Sequence, residues 1–179
     1  MNKEEAFFRL MEKLKDLDYC FISGTAVSIY SDGKREPRDL DIVIDPKDIE
    51  TFAERMGCTP NKRITSKGKF VTGDYSFETN FLGLSIEAIS TEKGKQTTKI
   101  QKTFEHKVKK KYLGEEIYVT PIEELVSQKA FTHRDKDLAD LELLKNIPLN
   151  QNLLLEFVKE WGNSEEIINL LKQIGFQIK

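Results

Sequence analysis

Residues 39–45, Asp-Leu-Asp-Ile-Val-Ile-Asp, constrain this chain more than any other stretch. Leu40 to Ile44 is short, largely apolar and rich in β-branched residues, which predicts a buried strand. Residues two apart on a strand project from the same face. Asp39 and Asp41 therefore stand side by side where the strand begins. Two carboxylates that close repel each other unless a cation lies between them or one is protonated. A hard divalent cation such as Mg2+ suits them, because it takes oxygen ligands and is commonly held by one or two carboxylates. The other reading is a pair of solvated acids at a strand end, and spacing alone leaves both open.

The 179 residues suffice for one good-sized domain, or a domain with a small helical annex. With 39% hydrophobic and 32% charged residues, the composition is that of a soluble globular protein. No apolar run approaches the length of a bilayer span. The opening Met1-Asn2-Lys3-Glu4-Glu5 leads into a charged amphipathic pattern, unlike a signal peptide. Cys20 and Cys58 have no metal-ligand spacing and form no disulfide framework, so they read as core or near-core thiols in a reducing cytoplasm. A net charge of −2 argues against a general nucleic-acid coat. The lysines at 93, 95, 99, 102, 107, 109, 110 and 111 nevertheless form a basic strip. Such a strip either meets an anionic partner such as RNA, or is a solvated loop and a lysine-protected edge strand.

Apolar positions Ala6, Phe7, Leu10, Met11, Leu14 and Leu17 predict an amphipathic helix over residues 3–17. Tyr19–Ile22 reads as a strand, Ser23-Gly24-Thr25 as a junction, and Ala26–Tyr30 as a helix opening directly from it. Pro46 is expected at the first position of a helix that runs to Gly57. Strands are expected at 69–72, 75–80 and 81–90, followed by a hairpin of 108–112 and 116–119. From Pro121 onward the pattern is helical, with breaks near Pro148, Gly162 and Gly175. The composite is an α+β fold: a mixed sheet with flanking helices over residues 1–119, and a helical part over 120–179 sharing its core and cleft.

Three features can converge on chemistry. Ser23-Gly24-Thr25 opens a helix, where free N–H groups and a partial positive charge suit a phosphate. The acid pair Asp39 and Asp41 follows. Glu87 then interrupts the apolar run Leu84–Ile89, and a buried carboxylate without a partner is expensive. Glu87 thus faces either a metal or, with Ser85 on the same strand face, solvent. Lys129 is either a nucleotide-side cation or a snorkelling surface lysine. Asp137 and Asp140, at i and i+3 of one helix, can fix Lys129, Arg134 or a substrate amine, or be plain surface acids. His106 and His133 lack ligand spacing, and Trp161 reads as a packing residue.

This order of motifs resembles the nucleotidyltransferase superfamily of the DNA polymerase beta type. The segments that carry it are Ile22-Ser23-Gly24-Thr25-Ala26, Asp39-Leu40-Asp41 and Ile86-Glu87-Ala88, with Arg35-Glu36-Pro37-Arg38 as the lead-in to the acids. Pro121–Ala130 and Arg134–Leu141 are similar to the helical segment of small stand-alone and abortive-infection toxin branches. Two departures stand out. Ser23 occupies the place of a first glycine, so a residue that dislikes positive φ must build the turn, and Pro37 stands where Ser or Thr is common. The resemblance implies transfer of a nucleoside monophosphate from a nucleoside triphosphate (NTP) with Mg2+ or Mn2+. Asp39, Asp41 and Glu87 would be catalytic and hold the metal. Ser23, Gly24, Thr25, Arg35, Lys129, Asp137 and Asp140 would serve the nucleotide. The acceptor would be RNA such as tRNA, a protein side chain or a small molecule. The chain would work as an enzyme, in a narrower reading as the toxin of a toxin–antitoxin pair, with an antitoxin or a second copy as partner and no membrane. A catalytically inactive nucleotide- or partner-binding domain of the same fold is the alternative.

Overall fold

The computed structural model describes residues 2–59, 61–62, 75–90 and 98–178. The expected strand at 69–72 lies outside the described residues, as do Lys93 and Lys95. The chain divides into two compact units, Met1–Thr25 with Pro37–Thr120, and Ala26–Glu36 with Pro121–Lys179.

In the first unit, α1 spans Lys3–Leu14, its N-terminus capped by Asn2, whose side chain accepts from the Glu5 N–H. It stops short of the expected Leu17 because Lys15 turns to extended ψ and Asp16 takes a φ of 65°. The strand β1 (Tyr19–Phe21) follows, then the helix α2 (Ser23–Tyr30), whose later turns belong to the second unit. The acid-bearing strand is β2 (Leu40–Ile44).

The helix α3 covers Ile49–Met56, three residues later than Pro46 predicts. The Asp45 carboxylate accepts from the Lys47 N–H and its carbonyl from the Asp48 N–H, so Asp45-Pro46-Lys47-Asp48 is a turn instead of a first helical turn. Gly57 ends α3 in the left-handed region, as expected.

The strands β3 (Asn61–Lys62), β4 (Tyr75–Phe81) and β5 (Leu84–Ser90) come next. Phe81 closes β4 opposite Leu84 instead of opening β5. The two residues between, Leu82 and Gly83, both have positive φ, the geometry of a tight hairpin turn. The β6 (Val108–Tyr112) and β7 (Glu115–Val119) hairpin repeats that device at Leu113-Gly114.

A helix, α4 (Thr98–His106), lies within the basic strip where a solvated loop or edge strand was expected. Ile100, Thr103 and Phe104, at helical spacing, turn one side of it inward, and Ile100 and Thr103 are buried.

The strands form one sheet in the order β3-β4-β5-β2-β1-β7-β6. β2 runs parallel to β5 and antiparallel to β1, and β1 is parallel to β7. Alternation assigns the two faces. Phe21, Ile42, Ile44, Phe77 and Ile86 share one, which α1 and α3 cover: Phe7 stacks on Phe21 at 5.9 Å and Phe52 meets Phe77 edge-on at 5.6 Å. On the other face, Cys20 and Val43 pack under Ile100 of α4 with Ile22 and Phe104. Asp41 and Glu87 lie on that same second face, one step along the strands from Val43 and Ile89. α4 thus covers an apolar row of this face, and the acids occupy the row beside it.

The second unit holds most of α2 with α5 (Ile122–Thr132), α6 (Asp135–Leu144), α7 (Gln151–Glu160) and α8 (Ser164–Ile174). Leu125, Val126, Leu141, Leu144, Leu154, Val158 and Leu171 are its buried core. Trp161 packs as expected, stacked on Phe131 at 4.7 Å, and its ring N–H donates to Ser127 Oγ at 3.4 Å. Among the described residues no helix is long and apolar enough to cross a membrane.

Candidate active site

β2 and β5 are parallel with Asp41 directly opposite Glu87, so their side chains project from one face. Asp39 sits on the bend just before β2, and its carboxylate joins theirs. One oxygen of each of Asp39, Asp41 and Glu87 lies within 4.8 Å of the others, and all three residues are half-buried. This register puts Glu87 on the face of the acid pair. Apart from carboxylate oxygen no ligand type is present in the trio, a donor set suited to a hard divalent cation.

The junction between β1 and α2 braces the acids. The Ile22 N–H donates to the Asp41 carbonyl at 3.0 Å, and the Gly24 N–H donates to Asp41 Oδ2 at 3.0 Å. Thr25 Oγ1 accepts from the Asp41 N–H at 2.8 Å and donates to the Asp39 carbonyl at 3.3 Å. Thr25 is fully buried, so its hydroxyl is spent on fixing the backbone that carries both acids. Ser23 has a φ of 51°, the left-handed conformation that a glycine takes freely and a serine does not.

Electrostatics mark the same spot. Burial, then the charges of Asp39 and Glu87, push the Asp41 carboxyl up to about 6, against the downward pull of the Gly24 N–H and the Ser23 hydroxyl. A cation among the three would remove that penalty, so the residues present fit a bound divalent metal.

Arg35, Lys129, Asp137 and Asp140 come together with one another in the second unit. The Lys129 ammonium lies 3.0 Å from Asp137 Oδ1 and 2.8 Å from Asp140 Oδ2, the latter off the hydrogen-bonding direction. Arg35 Nε lies 2.6 Å from Asp140 Oδ1. Asp137 also accepts from Thr132 Oγ1 and from Arg134 Nε, both at 2.6 Å. Burial would raise the Asp137 carboxyl, but the bonds from Arg134, Thr132 and Lys129 hold it well below the usual carboxylate range. Lys129, Asp137 and Asp140 are all buried, so Lys129 is no snorkelling surface lysine and the two acids are not surface acids. His133 ends α5 in the left-handed region, and His106 ends α4.

One acid escapes the sequence reading. Glu78 on β4 is directly opposite Glu87, so Asp41, Glu87 and Glu78 form a row across three neighbouring strands of the same face. Glu78 is exposed, and among the described residues its side chain has no hydrogen-bond or ion-pair partner. The Glu at position 78 is plain in the sequence, but only the β4–β5 register puts it beside the trio.

No protein-family model and no curated protein matches this sequence. Solved structures do match its fold. An antigenic nucleotidyltransferase-like protein from Paracoccidioides brasiliensis aligns over 94% of this chain and 91% of that one, with a TM-score of 0.56 and 14% identity. A putative nucleotidyltransferase from Thermotoga maritima aligns over 79% of this chain and 92% of its own, with a TM-score of 0.53 and 14% identity. ANT(2'')-Ia, solved in complex with adenylyl-2''-tobramycin, aligns over 97% of both chains, with a TM-score of 0.51 and 8% identity. The chain has the α+β nucleotidyltransferase fold.

Proposed function

We propose that this chain is a nucleotidyltransferase that uses Mg2+ or Mn2+ to move a nucleoside monophosphate from an NTP to an acceptor hydroxyl. The observation that carries the proposal is the meeting of Asp39, Asp41 and Glu87 within 4.8 Å beside the Ser23-Gly24 turn. The fold supports it, since a protein of this fold, ANT(2'')-Ia, is seen with an adenylylated compound.

Asp39, Asp41 and Glu87 would hold the metal, which would supply charge neutralisation for the phosphates and for the oxygens of an in-line displacement. Gly24 N–H and the Ser23 hydroxyl, which serve Asp41 in this structure, are the donors for the outer phosphates. Thr25 acts on the backbone of Asp39 and Asp41 and is a positioning residue. Arg35, Lys129, Asp137 and Asp140 are tied to one another. In this reading they support nucleotide binding by fixing the helical unit.

Thermal unfolding tests the proposal. Millimolar Mg2+ or Mn2+ with an NTP is expected to raise the melting temperature by several degrees, and Asp39→Asn combined with Asp41→Asn to remove the shift. The complete absence of a shift in the unmodified protein would overturn the reading. Pyrophosphate release separates turnover from binding alone: a shift without release at any acceptor leaves the inactive, nucleotide-binding alternative. If the chain is the toxin of a pair, its expression arrests growth and the double substitution relieves the arrest.

A further inference from the structure

α2 has no acidic residue in its own first turn, although the free N–H groups at a helix start favour an anion. Its anion comes from the neighbouring strand. The Asp41 carboxylate, 17 residues on from Gly24, accepts from the Gly24 N–H through Oδ2 at 3.0 Å and also from the Ser23 hydroxyl. Backbone contacts hold it there. The Asp41 N–H donates to Thr25 Oγ1 at 2.8 Å, and the Asp41 carbonyl accepts from the Ile22 N–H at 3.0 Å. Asp41 is also the acid directly opposite Glu87 on the β2–β5 ladder. One carboxylate therefore belongs both to the trio and to the turn that opens α2. A backbone N–H carries a single proton. Gly24 can serve Asp41 or an incoming phosphate, but not both at full strength.

We propose that Asp41 gates the phosphate turn: its carboxylate stands in for a substrate phosphate on Gly24 and Ser23, and yields those donors only when a divalent cation engages it. This rests on the nucleotidyltransferase reading and adds how that site admits its substrate. A polyphosphate that arrives without a cation finds the donors taken and meets the like charge of the carboxylate. When a cation engages Asp41, the same two donors are released to the phosphates. Metal and polyphosphate then bind cooperatively, over and above their direct contact with each other. By linkage, each strengthens the binding of the other by the same factor. The gate thus keeps a nucleotide that carries no metal off the turn.

The test uses the full chain and inorganic tripolyphosphate, a probe with no base or sugar. In EDTA, calorimetry is expected to show binding to Asp41→Ala tighter than to the unmodified protein by about tenfold, the scale of one charge-assisted contact. Asp39→Ala is the control. It removes an equal charge from the trio but leaves the Gly24 contact and both backbone bonds to Thr25 in place, so a clearly smaller gain is expected. Equal gains in the two variants overturn the proposal, because charge alone then explains them. No gain in Asp41→Ala also overturns it, because Asp41 is then a plain helix cap. The Gly24 amide resonance gives a readout that needs no variant. In the unmodified protein, tripolyphosphate alone is expected to leave it in place, and tripolyphosphate with Mg2+ to move it. Movement without Mg2+, or no movement with both, overturns the gate. The Mg2+–NTP melting shift distinguishes the failures. Its presence beside any of them sinks the gate alone, and its absence sinks both.

Discussion

Two clusters of carboxylates sit in this protein, and they are built on opposite principles. In the helical unit, Asp137 and Asp140 are surrounded by Lys129, Arg35 and Arg134, and nearly every oxygen has a cationic or hydroxyl partner. In the sheet unit, Asp39, Asp41 and Glu87 face one another with Glu78 beside them in the row, and burial, with the charges of Asp39 and Glu87, drives the Asp41 carboxyl upward. A cluster that carries its own counter-charges is complete as folded. One whose acids gather on one another can take a cation from outside. Buried charges therefore speak for structure or for chemistry according to who balances them.

The largest effect expected from this contrast is on stability. Lys129→Met removes the shared cation and leaves Asp137 and Asp140 buried beside each other. It is expected to cost about 3–5 kcal/mol in urea unfolding, the typical cost of breaking a buried pair. An equal loss from Asp39→Asn would erase the distinction between the clusters.

Next in size is a gain. Asp41 has its carboxyl raised in the fold, so its contribution to stability is present below pH about 4 and disappears as pH rises through about 6. In metal-free protein at pH 7, Asp41→Asn is expected to be more stable by on the order of 1–2 kcal/mol, with the difference vanishing by pH 4. Asp137 has the opposite sign. Its lowered carboxyl contributes stability above its unfolded-state value, and this is lost as the solution is acidified below about pH 4. Acidification thus relieves one cluster while it weakens the other, and urea titrations of the single variants across pH 3–8 check both slopes.

The smallest effect concerns the turn that braces the sheet cluster. Ser23→Gly relieves a left-handed serine but adds freedom to the unfolded chain, so a net gain of at most about 1 kcal/mol is expected. A loss would mean that the Ser23 hydroxyl on Asp41 is worth more than the strain.

Much of the sheet cluster was legible in the sequence because it depends on local periodicity. Asp39 and Asp41 are two apart at a strand start, and Glu87 interrupts an apolar run, so alternation alone nominates all three. Glu78 was not legible, since the register of β4 against β5 is set by the Leu82-Gly83 turn, and a one-residue slip would send it to the other face. α4 was obscured by the many lysines around it, although Ile100, Thr103 and Phe104 repeat at helical spacing. The start of α3 was misplaced because Pro46 suits the turn held by the Asp45 carboxylate as well as it suits a first helical position. Asp137 and Asp140 had several candidate partners, and only the packing of α5 on α6 brought Lys129 between them.

The pairing of Asp41 with Glu87 also bears on the order in which the protein assembles. The two acids come from strands far apart in the chain, aligned in parallel, with α3, β3 and β4 between them. Contacts of that kind carry a loop-closure cost that is met before they contribute. Before β5 docks on β2 there is no trio to fill. A cation that needs all three acids has nothing to hold in the folding transition state if that docking comes after it. Its hold would then show in the lifetime of the native protein, by slowing unfolding, and leave the speed of the search unchanged.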